Sequence, residues 1–342
     1  MTTQDRKNLV RRIRPDDSQA WRRLVQVLFL GLNILICVQF VLFVRYFESP
    51  GRTIHVSRPP GVEGWLPIAG LMNLRYFLAT GHIPSIHPAA MLLLTVFLLI
   101  SILFRKAFCS WLCPIGTASE ALWKFGRKLL KRNWSLPRIV DLPLRGLKYL
   151  LLTFFLYAVA GMTAGSIDAF LSSPYGLVAD VKMLYFFWHL SNVAAITLLA
   201  LSLLSIFFQN FWCRYLCPYG ALMGLAAIFS PAKIRRDGNS CINCTQCTRA
   251  CPALLKVDEL HSIRSAECTG CLECVAACPA EGALQLSLPR KHQISPWLVA
   301  TGLAILFFGV IGFARMKGAW NSDIPDSTYE QLIPVLDTLT HP

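Results

Sequence analysis

Residues 241–279 carry two copies of one cysteine pattern, and no other feature limits folding so tightly. The first reads Cys241-x2-Cys244-x2-Cys247-x3-Cys251-Pro252 and the second Cys268-x2-Cys271-x2-Cys274-x3-Cys278-Pro279. Three cysteines at two-residue intervals wrap a tight loop around one corner of a cubane. The fourth sits just beyond, where proline prevents the loop from continuing. This is the bacterial two-cluster ferredoxin run, in which the fourth cysteine of each run ligates the other cluster. The spacing therefore predicts one [4Fe–4S] cluster on Cys241, Cys244, Cys247 and Cys278, and a second on Cys268, Cys271, Cys274 and Cys251. Zinc also takes four thiolates, but two complete runs ending in proline favour clusters. A disulfide framework is not expected, because disulfide-dense chains are mostly small and secreted.

The rest of the chain reads as a membrane protein. Hydrophobic residues make up 54% and charged residues 15% of the 342 residues, well short of the roughly one quarter charged usual in soluble domains. Five segments approach the roughly 20 apolar residues that a span needs: about Leu24–Val44, Pro88–Phe104, Tyr149–Ala164, Trp188–Phe208 and Pro296–Ala314. A sixth apolar stretch, Trp65–Ala79, contains Pro67, Gly70, Asn73 and Arg75 and reads as re-entrant or surface-lying. The first span follows a long basic arm with no small-x-small site after it, so it reads as a retained anchor rather than a cleaved signal.

Loop charge predicts the orientation. The arm to residue 23, loop 105–148 and loop 209–294 together hold 26 Lys and Arg, against 7 on the other side. Basic residues stay in the cytoplasm. The N-terminus and both long cysteine-bearing loops are expected inside, and the C-terminal tail outside. The formal charge of +14 is thus attributed to topology, and a nucleic-acid partner is not expected.

Two further cysteine pairs lie at span ends: Phe108-Cys109-Ser110-Trp111-Leu112-Cys113-Pro114-Ile115-Gly116, and Trp212-Cys213-Arg214-Tyr215-Leu216-Cys217-Pro218-Tyr219-Gly220. They read as an internal duplication. Its unit is a span, C-x3-C-P, a cytoplasmic segment and a return span, with the ferredoxin segment inserted into the second copy. Cysteines four apart share one face of an α-helix, so the two pairs are expected to converge. A further cluster, another metal, a redox-active dithiol pair and simple buried packing all remain open for Cys109, Cys113, Cys213 and Cys217. Cys37, mid-span, reads as packing.

Several redox classes are not supported. Only His189 lies in a span, so the paired axial histidines of a membrane cytochrome b are missing, and there is no C-x2-C-H. No G-x-G-x-x-G follows a strand pattern. A conduit in a bilayer still needs a source or sink, and a quinone is the natural candidate. Segment 48–90 carries His55, His82 and His87 with Trp65, Tyr76 and Phe77, which form either a quinol pocket or, as preferred, an interfacial aromatic cap.

These motifs carry a resemblance. The stretches at 45–49, 61–76, 106–117, 212–224 and 266–271 resemble the NapH/NosR-type membrane polyferredoxins, and within them the YccM-like branch, over nearly the whole chain. The resemblance implies [4Fe–4S] ligation at the eight cysteines of the two runs and a multi-pass place in a bacterial inner membrane, as an electron-transfer component of a respiratory chain. The expected fold is an α-helical membrane protein of about five spans with an inserted α+β two-[4Fe–4S] ferredoxin domain. Its parts are a basic arm over 1–23, a membrane domain over 24–235, the ferredoxin domain over 236–290, and a last span with a periplasmic tail over 291–342. The leading function is electron transfer between the quinone pool and an unidentified redox protein. The competing class is a maturation or regulatory factor, as CcoG-type proteins suggest.

Overall fold

The computed structural model describes residues 12, 16–49, 52–131, 133–289 and 292–340. Most of the basic arm, with Arg290 and Lys291, lies outside the described residues. Most of the described residues are helical. Helix α1 (Ser18–Glu48) is 31 residues long and uninterrupted by proline. Helix α2 (Pro67–Thr80) opens on Pro67 and closes on Gly81 at φ +73°. The stretch expected to be broken by Pro67, Gly70, Asn73 and Arg75 is therefore one continuous helix, because proline at the first helical position removes only a donor that is unpaired anyway.

Helix α3 (Pro88–Phe104) has 17 residues, and α4 (Pro114–Leu130) begins directly after the first C-x3-C turn. Helices α5 (Arg138–Ala160) and α6 (Ala164–Leu171) meet at 101°. Thr163 makes the break by accepting a hydrogen bond from Ser166 N at the start of α6. A four-residue helix α7 (Pro174–Leu177) leads to α8 (Ala179–Trp188), which meets α9 (Asn192–Phe207) at 80°. Helix α10 (Pro218–Ile228) follows the second C-x3-C turn. Strands β1 (Lys233–Arg236) and β2 (Leu284–Ser287) pair antiparallel, with Ile234 opposite Leu286. Short helices α11 (Gln246–Ala250) and α12 (Glu273–Ala276) lie between them in sequence. Helices α13 (Pro296–Met316) and α14 (Asp326–Leu332) complete the chain.

Helices α1 and α13 are long and apolar enough to cross a membrane. Counting each bent pair, α5–α6 and α8–α9, as one span raises the number to four. The apolar faces of these helices are turned outward: Val27 and Leu35 on α1 and Ile305 on α13 are each about two-thirds exposed, as lipid-facing residues are. Of the five expected spans, Pro88–Phe104 forms a helix shorter than these. Tyr149–Ala164 runs through the α5–α6 break, and Trp188–Phe208 begins on the last residue of α8. Apolar runs do not reveal such breaks, which are made by single capping residues.

The chain divides into two compact units. One comprises the residues up to Leu30, Leu98–Leu150 and Leu201–Ile305; the other comprises Gly31–Phe97, Leu151–Ala200 and Leu306–Pro342. All twelve grouped cysteines belong to the first, whose interior includes Trp111, Trp123, Tyr215, Ile234, Ile263 and Leu284. The second is centred on Phe40, Phe43, Phe47, Val62, Val181 and Tyr329, with Phe43 and Tyr329 meeting edge to face at 5.0 Å.

Candidate metal centres

The two ferredoxin runs follow one backbone path. Residues just before and just after the second cysteine are left-handed in both: Asn243 and Thr245 in the first run, Gly270 and Leu272 in the second. Three of these four carry side chains, for which the left-handed region costs on the order of 1 kcal/mol each. The repeated strain turns successive cysteines to one side of the loop. Cys278 lies within electrostatic reach of Cys244 and Cys241, and Cys247 of Cys278 and Cys241. Cys251 lies within reach of Cys271 and Cys268, and Cys274 of those three and also of Cys247. Each run thus has a fourth cysteine near the other: Cys251 near Cys268 and Cys271, and Cys278 near Cys241 and Cys244.

The second group encloses a cavity lined by Cys251, Cys268, Cys271 and Cys274 with Ile234 and Ile263. Burial pushes the Cys251 thiol up to about 12 and Cys271 up to about 11. Four soft donors lining one apolar space suit an iron–sulfur group, since metal coordination is what holds a buried thiol deprotonated. The first group is more open: Cys241, Cys244 and Cys278 are half-buried.

The C-x3-C turns are built differently from the α-helical face expected for them. Residues 108–112 and 212–216 form π-helical turns, closed by Cys113 N to Phe108 O at 2.9 Å and Cys217 N to Trp212 O at 3.0 Å. Each second cysteine then leaves the turn and caps the next helix. Cys113 Sγ accepts from Gly116 N at 3.4 Å, and Cys217 Sγ from Gly220 N at 3.2 Å. The wider turn still brings the pairs together: Cys213 lies within reach of Cys217, Cys113 and Cys109, and Cys113 of Cys217. Burial pushes Cys109 up to about 12 and Cys113 up to about 11. Cys37 stands outside all of this, exposed on α1 rather than packed inside.

The four-thiol site abuts the second ferredoxin run. Ser110 Oγ donates to Thr269 O at 2.6 Å and Trp111 Nε1 to Gly270 O at 3.1 Å, so residues between Cys109 and Cys113 touch residues between Cys268 and Cys271. Basic residues secure the surroundings. Arg22 bridges Glu120 on α4 (2.6 Å) and Glu273 on α12 (2.8 Å). Arg214 reaches Asp141 (3.0 Å) and the carbonyl of Ala253 (2.8 Å). Lys148 meets Glu267 at 2.6 Å, and Arg105 meets Ser265 O at 2.7 Å. Arg22, Arg105, Lys106, Lys148 and Arg214 are all buried. In the sequence they counted only as topological charge; their position within two or three residues of the cysteine motifs was the available signal for some of them.

The histidines considered for a quinol pocket do not form one set. His82 and His55 are exposed, and His55 lies 3.2 Å from Asp326. His87 is fully buried. Its Nε2–H donates to Gly176 O at 2.9 Å, and its Nδ1 lies 3.3 Å from both Glu63 and Arg58. Arg58 also binds Asp180 at 2.7 Å. Burial alone would keep Glu63 protonated and His87 neutral. The Arg58 charge outweighs it for Glu63, and the Glu63 carboxylate outweighs it for His87, which is raised above the usual histidine value.

Comparison with known proteins finds iron–sulfur families over the same segments. A family described as a 4Fe-4S binding domain matches twice, over residues 86–136 and 192–237, and each match contains one C-x3-C-P motif. A family described as a 4Fe-4S dicluster domain matches residues 233–280, which contain both ferredoxin runs. The chain is 48% identical over 331 residues to YccM of Escherichia coli (strain K12), a provisionally named electron transport protein, covering 95% of this chain and 93% of YccM. It is 29% identical over 189 residues to the ferredoxin-type protein NapH of the same organism, covering 53% of this chain and 59% of NapH. It is 33% identical over 159 residues to the regulatory protein NosR of Stutzerimonas stutzeri, covering 44% of this chain and 21% of NosR. No solved structure matches.

Proposed function

The chain belongs to the membrane polyferredoxin family of YccM, and from that premise we propose that it is a membrane-bound iron–sulfur protein passing electrons between the quinone pool and a redox partner. The observation that carries this reading is the cavity lined by Cys251 of the first run with Cys268, Cys271 and Cys274 of the second, beside the proximity of Cys278 to Cys241 and Cys244. Cys241, Cys244, Cys247 and Cys278 would hold one [4Fe–4S] cluster, and Cys251, Cys268, Cys271 and Cys274 the other. Such clusters supply one-electron oxidation and reduction at fixed positions. The protein's own residues hold, bury and order them. Ile234 and Ile263 exclude water from the second group. Ser110 and Trp111 tie that group to Cys109, Cys113, Cys213 and Cys217, which are assigned to a third metal station. The path then runs from the C-x3-C-P site through the buried group to the more open one, where a partner has access.

The proposed topology has five spans, with the N-terminus and the ferredoxin segment cytoplasmic and the C-terminus periplasmic, in a bacterial inner membrane. The count of 26 basic residues against 7 supports it. Iron and sulfide analysis with low-temperature EPR on the purified protein tests the clusters; stoichiometric zinc without sulfide would sink them. Cluster reduction by menaquinol or ubiquinol in vesicles tests the quinone role.

A second reading, a maturation or regulatory factor, draws on the name of the regulatory protein NosR, whose match covers less than half of this chain. Normal respiration with one metalloenzyme left unassembled in a deletion strain would favour it.

A further inference from the structure

Helix α4 has three faces. Ser119, Trp123 and Gly126 are buried against the protein. Ile115, Ala118, Leu122, Phe125 and Leu129 follow one another at three- and four-residue steps, which places them on a second face. That face is open: Phe125 is 57% and Leu129 66% exposed. Lys124, Arg127 and Lys128 lie on the third, and with Glu120 they keep α4 from crossing a bilayer. The depth of α4 is set by α9. A Cβ on Gly126 would stand 2.0 Å from Ile206 O, so only glycine lets α4 cross the end of α9 this closely. Just beyond α4, Trp134 N–H donates to Phe207 O at 3.0 Å, and the half-exposed indole stacks on Phe207 at 5.6 Å. Helix α9 is part of a bent candidate span. Helix α4 and Trp134 therefore sit where an apolar helix ends, the level at which amphipathic helices and tryptophans meet headgroups.

The charge on this surface has one sign. Residues 121–140 contain six Lys and Arg and no Asp or Glu. The flanking acids are taken, Glu120 by Arg22 and Lys124, and Asp141 by Arg214 and Tyr215. Among the described residues no carboxylate pairs with Arg127, Lys128, Lys131 or Arg138, all of them exposed. Ile139 and Leu142 extend the open apolar surface. A second copy of this face would bring like charges together, and an acidic soluble protein would answer the cations but not the apolar stripe. Neutral phospholipid would cover the stripe without a net counter-charge. We infer that α4 and the segment to Leu142 bind anionic phospholipid of the cytoplasmic leaflet, with the stripe among acyl chains and Arg127, Lys128, Lys131 and Arg138 on the phosphates. The choice of leaflet follows the count of basic residues by loop; the lipid selectivity does not, since charges that only set orientation need no particular headgroup. The inference requires a membrane protein, not the quinone reading. Lys124 reaches Glu273 on α12 at 2.9 Å, so the helix that meets lipid also holds the second ferredoxin run.

Native mass spectrometry of the full chain in detergent, titrated with phosphatidylglycerol or phosphatidylcholine, tests this. Wild-type protein is expected to hold phosphatidylglycerol at least about tenfold more tightly. Lys128→Gln with Lys131→Gln should lower that preference at least about fivefold. Arg249→Gln with Lys256→Gln removes the same charge from exposed positions on the ferredoxin segment and should leave the preference intact. A photoreactive phenylalanine analogue in place of Leu129 should crosslink to phospholipid in native membranes. Equal retention of the two lipids overturns the proposal, as does equal loss of preference from both double variants, which would mark net charge alone. Crosslinking of position 129 to protein, a second copy of the chain included, also overturns it. Iron and sulfide content reads the cluster assignment separately from all of these outcomes.

Discussion

Gly116 and Gly220 hold matching places in the two C-x3-C-P motifs but bear different loads. A Cβ on Gly116 would stand 2.1 Å from the Cys109 carbonyl oxygen, whereas at Gly220 no atom comes closer than 3.5 Å. Gly116→Ala should therefore destabilise the first unit by about 2–4 kcal/mol, and Gly220→Ala by under about 1 kcal/mol. Thermal unfolding in detergent, followed with bound iron, reads the difference. At the other unit, His87 is raised by its contact with Glu63 despite burial. A raised histidine contributes stability that is fully present below about pH 6.5 and is lost as pH rises through the folded value. Melting temperature should accordingly fall as pH rises above about 6.5, and His87→Gln should flatten that slope. The motif spacing marked both glycines, but not which of them faces a carbonyl. The sequence likewise marked His87 only as a candidate for a quinol pocket or interfacial cap, without marking its partners.

Among the elements, the start of each helix after a C-x3-C turn depends on a thiol. Cys217 caps α10, with Pro218 at its first position. Cys217→Ser should keep the cap while removing a soft metal donor, whereas Cys217→Ala loses both. The two variants should lose iron alike, and Ala should be less stable by about 1 kcal/mol, measured by denaturant unfolding of the iron-free protein. Arg22 joins three elements, α1, α4 and α12, through two carboxylates. Burial opposes ionisation of Glu120, yet the Arg22 hydrogen bonds and charge, with those of Lys124, hold it at about 2. Arg22→Met leaves these acids without their cation and should cost about 3–5 kcal/mol, seen as early proteolysis around α12. Helix existence was legible from apolar runs. Helix breaks at Thr163 and Ser191 were not, because one side chain accepting one backbone N–H decides each.

At the scale of the molecule, the ferredoxin segment shares one compact unit with the C-x3-C-P turns. Its backbone carbonyls are satisfied from outside the segment by Ser110, Trp111, Arg105, Arg214 and Gln19. Residues 233–289 expressed alone should therefore retain iron less well than the full chain, as iron loss to a chelator over time would show. Sequence alone determined what depends on short covalent spacing: the two regular cysteine runs, the duplicated C-x3-C-P motif, and the apolar runs that become helices. Neighbours in the chain set those properties. Only the tertiary structure decided which basic residues are buried, and that His87 belongs to an ion network with Arg58 and Glu63. Such contacts join residues tens to hundreds of positions apart, and charge counted along a chain carries no information about which charges water will reach.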